Sequence, residues 1–200
     1  MCGIAAIVSA KPIGLSDLIR KMSTAVRHRG PDGEGFAVLS ADGLRATPFA
    51  GKDTPPSVYE ARMAYAPKRN SEGIADSVVA LGHRRLAIID LSPAGHQPMC
   101  TADGRFWIVY NGEIYNYVEL RTELELLGHS FSSHSDTEVI LSAYRQWGEQ
   151  CLERFNGMFA FVLVDRIQRR VFAARDRFGV KPIYYWVSPA GLVAFASEIK

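Results

Sequence analysis

A chain of 200 residues, 48% apolar and 22% charged, has the makeup of one globular domain, or of one domain cut from a longer protein, and can bury a full core. A net charge of +2 with scattered basic residues leaves no nucleic-acid footprint. The longest apolar run, GMFAFVLVD, is far too short to cross a bilayer. Neither nucleic acid nor a membrane is therefore expected as a partner.

Cys2 stands beside the initiator methionine, ahead of the apolar, β-branched run Gly3 to Ser9, which predicts a buried strand. Leu15, Leu18, Ile19, Met22 and Val26 at helical spacing predict a helix, with Ser16 as its N-cap. GPDGEG, Gly30 to Gly35, predicts a turn. Residues 41–77 are the least regular and read as a long surface excursion, not a second domain. Val78 to Leu91 returns to strand-like sequence, interrupted by SPAGHQPM.

RFWIVYNGEIYNY predicts a strand running into a turn at Asn111-Gly112. Asn116 with Glu119, and Ser135 with Glu138, have capping-box spacing ahead of two helices, and Gly128 closes the first. GMFAFVLVD, RVFAARD, IYYWVS and LVAFAS predict strands, with RIQRR, Arg166 to Arg170, as a solvated turn between two of them. Two helices between groups of strands predict an α+β fold, antiparallel sheets packed under helices.

The N-terminus lacks the basic region of a signal peptide. Cys2, Cys100 and Cys151 are odd in number and lack framework spacing, so a reducing cytoplasm is the expected compartment. No metal site is expected, because no C-x-x-C, H-x-x-x-H or H-E-x-x-H occurs among the cysteines and five histidines.

Removal of Met1 would place a thiol and a free α-amine on Cys2 alone. With ordinary pKa values of about 8.5 and about 7.7–8.0, the amine is poised to take the thiol proton. A small buried residue at a strand start is the plainer reading of this cysteine.

MCGI, RHRGPDGEG, GHRRLAIIDL, VYNGEIYNY, SHSDTEVI, ARDRFGVKPIYY and ASEIK together resemble the N-terminal glutaminase domain of glutamine-dependent asparagine synthetases. These are class II amidotransferases of the N-terminal-nucleophile (Ntn) hydrolase type. The resemblance runs from Cys2 to the last residue, the excursion excepted, and implies one glutaminase domain over residues 1–200, with a synthetase domain outside this chain. It further implies a four-layer αββα sandwich of two antiparallel sheets between helical layers.

The resemblance also implies roles. Cys2 is the nucleophile toward the side-chain amide of L-glutamine, and Asn111 and Gly112 are the oxyanion donors. Arg85, and not Arg84, binds the α-carboxylate, with the backbone of Leu86, Ile88 and Ile89 lining the same pocket. Asp136 binds the α-ammonium, with Glu113 beside the oxyanion pair. Asn-Gly is equally a hairpin signal, Arg85 a strand-edge charge, and Asp136 a first-turn helix stabiliser. Many family members have glycine at Ser135. Arg27, His28 and Arg29 are given no catalytic role, and His83 and His96 are expected to make structural hydrogen bonds.

The implied reaction converts glutamine to glutamate and ammonia through a thioester on Cys2. The glutaminase needs no cofactor. The synthetase domain of the same polypeptide would use ATP and magnesium to make asparagine from aspartate, and a homodimer is compatible with the resemblance. The alternatives are the same chemistry feeding another amide acceptor, and a degenerate domain kept for assembly or regulation.

Overall fold

The computed structural model describes residues 1–43, 45–68 and 76–199. Its strands are β1 (Gly3–Ile13), β2 (Gly33–Leu39), β3 (Ala46–Phe49), β4 (Ser77–Arg85), β5 (Met99–Cys100), β6 (Phe106–Ile114), β7 (Gly157–Asp165), β8 (Arg170–Arg175), β9 (Tyr184–Val187) and β10 (Leu192–Ala196). Its helices are α1 (Ser16–Ala25), α2 (Pro56–Glu60), α3 (Tyr117–Leu126), α4 (Asp136–Trp147) and α5 (Cys151–Arg154). One sheet has the order β3-β2-β4-β1-β10-β9 and the other β5-β6-β7-β8. Every strand pair in both sheets is antiparallel.

The layers follow from period-two alternation along strands that are apolar on both faces. On β1, Ile4 and Ala6 join the core shared with the second sheet, while Ala5 and Ile7 pack toward α1. β2 divides likewise: Ala37 and Leu39 face the second sheet, and Phe36 and Val38 join Leu15 and Ile19 of the α1 layer. Leu120 and Leu124 of α3 and Val139 and Ile140 of α4 cover the far face of the second sheet. The result is the α+β, αββα order.

Local signals were overridden where packing was stronger. Ser16 lies inside α1, and the buried Leu15 is the capping position, because Leu15 belongs to the core beneath the helix. Asn116 does precede α3, but its side chain spans to Arg154 O and Asn156 N instead of capping. Ser135 does cap α4 by accepting from Thr137 N–H at 3.1 Å. Glu138 turns instead to Ser132 and Ser133, which leaves that capping box half made. Gly128, at φ +92°, closes α3 as expected.

The expected turn at Gly30 to Gly35 is confined to its first residues, since β2 begins at Gly33 and is buried throughout. Asn111-Gly112 is no turn at all. β6 runs straight through both residues, pairing Asn111 with Ala160 and Gly112 with Phe159. A Cβ at Gly112 would stand 2.3 Å from Met158 O, so its glycine serves close strand approach.

The excursion is more than surface. β3 extends the first sheet beside β2, and Phe49 stacks on Phe36 with centroids 5.2 Å apart. Residues 69–75 of the excursion lie outside the described residues. Within RIQRR, Arg166 is half-buried and donates to Gly43 O and Gly104 O, so that turn is only partly solvated.

Candidate active site

β1 and β6 lie in facing sheets, and their ends, with the segment after β4 and the start of α4, enclose a cavity of about 110 Å³. Cys2, Arg85, Leu86, Ile88, Ile89, Asn111, Gly112, Glu113 and Asp136 all line it. So do Gln97, Tyr110, Met158 and Lys181, to which the sequence assigned no role. Among the described residues no group of three or more His, Cys, Asp or Glu side chains is placed to hold a metal ion.

Cys2 immediately precedes β1 and is held from two sides. Its Sγ accepts from Leu86 N–H at 3.3 Å and donates to Leu86 O at 3.5 Å. Arg29 donates from Nε to Cys2 O at 3.0 Å, and its guanidinium pairs with Glu198 at 2.8 Å. Ser197 Oγ accepts from Ile4 N–H at 3.0 Å. Arg29, Ser197 and Glu198 therefore form a brace around the cysteine and the start of β1. Burial raises the thiol pKa, against a pull from the Leu86 amide and the positive charge of Arg85.

The segment that presents Leu86 is itself fixed. Asp32 N–H donates to Arg85 O at 3.0 Å, and Ala87 N–H donates to the Asp32 carboxylate at 2.9 Å. Gly30 lets this loop close on β4, since a Cβ there would meet the Arg84 backbone at 2.4 Å.

Arg85 donates to Ser92 O at 3.1 Å and to Asp90 O. Asp136, at the first turn of α4, accepts from Tyr110 Oη at 2.7 Å and from Ile114 N–H at 3.0 Å. Burial nevertheless raises its pKa, and Glu113 adds to the effect. Gln97 supports the same corner, accepting from Tyr110 N–H at 2.7 Å and donating to Thr137 Oγ1 at 3.3 Å.

Three buried side-chain polar atoms lack a partner among the described residues: Ser77 Oγ, His83 Nδ1 and Asn111 Nδ2. Two of these belong to cavity-lining residues. An orphaned buried donor is costly unless something it serves arrives. Asn111 Nδ2 is such a donor, adjacent in sequence to the Gly112 amide. His83 Nε2 meets Tyr110 O at 3.1 Å, and burial pushes the imidazoles of both His83 and His96 down to about 3. Neither carries a charge near neutral pH.

The solved structure of glutamine phosphoribosylpyrophosphate (PRPP) amidotransferase from B. subtilis, complexed with ADP and GMP, superposes on 98% of this chain and 42% of its own with a TM-score of 0.72. At 21% identity this likeness shows a shared fold, two antiparallel sheets between helical layers. Residues 67–200 match the glutamine amidotransferase domain family, and the chain belongs to that family. It is 35% identical over its whole length to the glutamine-hydrolyzing asparagine synthetase 1 of Bacillus subtilis, of which it covers 26%. It is 37% identical to a putative glutamine-hydrolyzing asparagine synthetase 2 of Methanocaldococcus jannaschii, of which it covers 34%. The chain thus spans about a quarter to a third of the length of these curated relatives.

Proposed function

We propose that this domain hydrolyses L-glutamine to glutamate and ammonia through a γ-glutamyl thioester on Cys2. The observation that carries the proposal is the orphaned Asn111 Nδ2 beside Gly112, in the cavity that also holds the Cys2 thiol. Asn111 Nδ2 and the Gly112 amide serve as donors to the oxyanion. Arg85 receives the α-carboxylate, and Asp136 with Glu113 the α-ammonium, which offsets the penalty of the buried carboxylate.

The base is the α-amine of Cys2, freed by removal of Met1. Cys2 Sγ bonds to the side-chain amide carbon, Cδ, as the C=O electron pair moves onto oxygen and the thiol proton passes to the amine. The tetrahedral intermediate collapses, the C–N bond breaks, and the amine returns the proton to departing ammonia. Water then attacks the thioester carbon, releasing glutamate and restoring the thiol. His83 and His96 are too weakly basic to substitute for the amine.

The domain is proposed as the glutaminase part of a longer cytoplasmic asparagine synthetase. Its ammonia would pass to an ATP- and magnesium-dependent synthetase domain acting on aspartate. No residue of this chain is assigned to ATP or magnesium.

Intact mass after incubation with 6-diazo-5-oxo-L-norleucine, for wild type and Cys2→Ala, tests the reading. Loss of Met1 with one adduct, absent from the variant, is expected. An unlabelled wild type that also fails to release ammonia from glutamine overturns it.

A further inference from the structure

The two edges of the first sheet differ. At β3, Lys68 bridges to Phe49 and its N–H donates to Pro48 O at 3.2 Å, so the excursion covers that edge. At the other end β9 pairs with β10 alone, and no strand lies outside it among the described residues. Tyr184, Tyr185, Trp186 and Val187 are exposed on both faces of the strand. The run holds no charge and no proline, two devices that keep an edge strand from pairing.

One of these faces is a side that packing fills elsewhere in the sheet. Tyr185 is the register partner of Phe195, and Phe195 of Ala6, which belongs to the core shared with the second sheet. Alternation puts Tyr185 and Val187 on that same side. The second sheet has four strands against six and stops short of β9, where Tyr185 is 75% exposed.

The loop entering β9 adds an anchor. The Asp176 carboxylate accepts from Phe178 N–H at 3.1 Å, Val180 N–H at 2.9 Å and Lys181 N–H at 3.0 Å, and from Phe159 N–H of β7 at 3.2 Å. Four backbone donors on one carboxylate fix the loop, which nevertheless turns Phe178, 93% exposed, and Val180 into solvent. A backbone fixed in advance lowers the ordering cost of binding, and aromatic anchors carry much of the energy of interfaces. Ala196 pairs with Tyr184, so the segment leaving β10 runs beside the one entering β9. Ile199, 78% exposed, therefore lies at the same end of the sheet as Phe178 and Val180.

The chain covers 26% and 34% of the two asparagine synthetases, so most of each relative lies outside the matched part. The path beyond β10 runs through Ile199, at the patch itself. A domain joined there meets the patch at high effective concentration.

We propose that Phe178, Val180, Tyr185, Trp186 and Ile199 form the face on which the synthetase domain of the same polypeptide docks. Seated on the edge of β9, that domain meets side chains from both faces of the strand. Lys181 of the anchoring loop lines the glutamine cavity, so the docked domain stands beside the site that releases ammonia. The inference rests on the reading of this chain as the glutaminase part of an asparagine synthetase.

Full-length protein carrying F178D, W186D or, as control, L126D decides it, with circular dichroism to establish folding. Leu126 is 85% exposed on α3, in the helical layer beyond the second sheet. F178D and W186D should each lower asparagine formation from glutamine about fivefold or more, with glutamate release and asparagine formation from added ammonia within about twofold. Amide exchange across β9 should quicken in both, and L126D should match wild type throughout. Y185D replaces either variant if it fails to fold. Unchanged coupling and exchange in the folded variants overturn the docking face and leave the glutaminase reading standing. A change from dimer to monomer by light scattering with coupling intact assigns the patch to a second copy and overturns it equally. A wild type that makes no asparagine from aspartate, ATP and ammonia ends the synthetase reading on which it rests.

Discussion

Arg84 and Arg85 are adjacent at the end of β4, yet their side chains leave on opposite faces of the sheet. Arg84 is buried and pairs with Glu34 at 2.6 Å and Asp53 at 2.7 Å, while Arg85 lines the cavity. Strand alternation makes the first a structural ion network and places the second where an α-carboxylate can reach it. Glu34→Gln should therefore destabilise the domain by about 3 kcal/mol, since it leaves a buried guanidinium short of its partner. Arg85→Lys should leave urea stability near wild type and raise KM for glutamine at least tenfold, since a point charge replaces a bidentate fork. Unfolding curves and glutaminase kinetics on the two variants separate these effects.

Asn111→Ala should lower kcat by about 10²–10³ with little change in KM, the loss typical of one oxyanion donor. Its stability should hold, because no partner in the described structure loses a bond to Nδ2. A large KM effect with unchanged kcat would assign Asn111 to ground-state binding instead.

Gly112→Ala should destabilise the domain by about 1–3 kcal/mol, because the new Cβ meets Met158 O at 2.3 Å and must push β7 from β6. Chemical denaturation measures the loss. Activity should fall with it, since the Gly112 amide moves with its strand.

Stability should fall on acidification from pH 6.5 to 5. His83 and His96 are held neutral by burial with pKa values near about 3, against 6.5 when unfolded. In that window the unfolded chain binds more protons, so unfolding is favoured as pH drops, by roughly 1–2 kcal/mol per imidazole. Urea titrations at pH 5 and 7 should show this dependence, and His96→Gln should reduce it.

Asp136 acts in the opposite sense. Its folded pKa is raised by burial above the unfolded value, so its contribution is most favourable at low pH and declines as pH rises through the folded pKa. Asp136→Asn should raise Tm at pH 7, by a margin that closes toward pH 4, while abolishing measurable glutamine binding. Differential scanning calorimetry across that range, with glutaminase kinetics at pH 7, tests both halves.

Much of this could be read along the chain because it depends on spacing. Alternating and near-continuous apolar runs mark strands covered on both faces, and α1, α3 and α4 show in helical periodicity or their closing signals. The chemistry of a cysteine beside the initiator methionine is also local. Asn111-Gly112 shows the limit, because a dipeptide that favours a hairpin in isolation becomes mid-strand once β7 supplies a full ladder of partners. The capping positions at Leu15 and Asn116 were decided likewise by core packing and by a distant loop.

What only the tertiary structure decided are the relationships between distant segments. Cys2 meets Leu86 across 84 residues, and Ile4 meets Ser197 across 193. The division of labour between Arg84 and Arg85 and the orphaned Asn111 amide depend on which atoms lie near after folding, and on which groups burial strips of water. Residue order sets which groups are available, whereas proximity and desolvation, set by the packing of two sheets, decide what those groups can do.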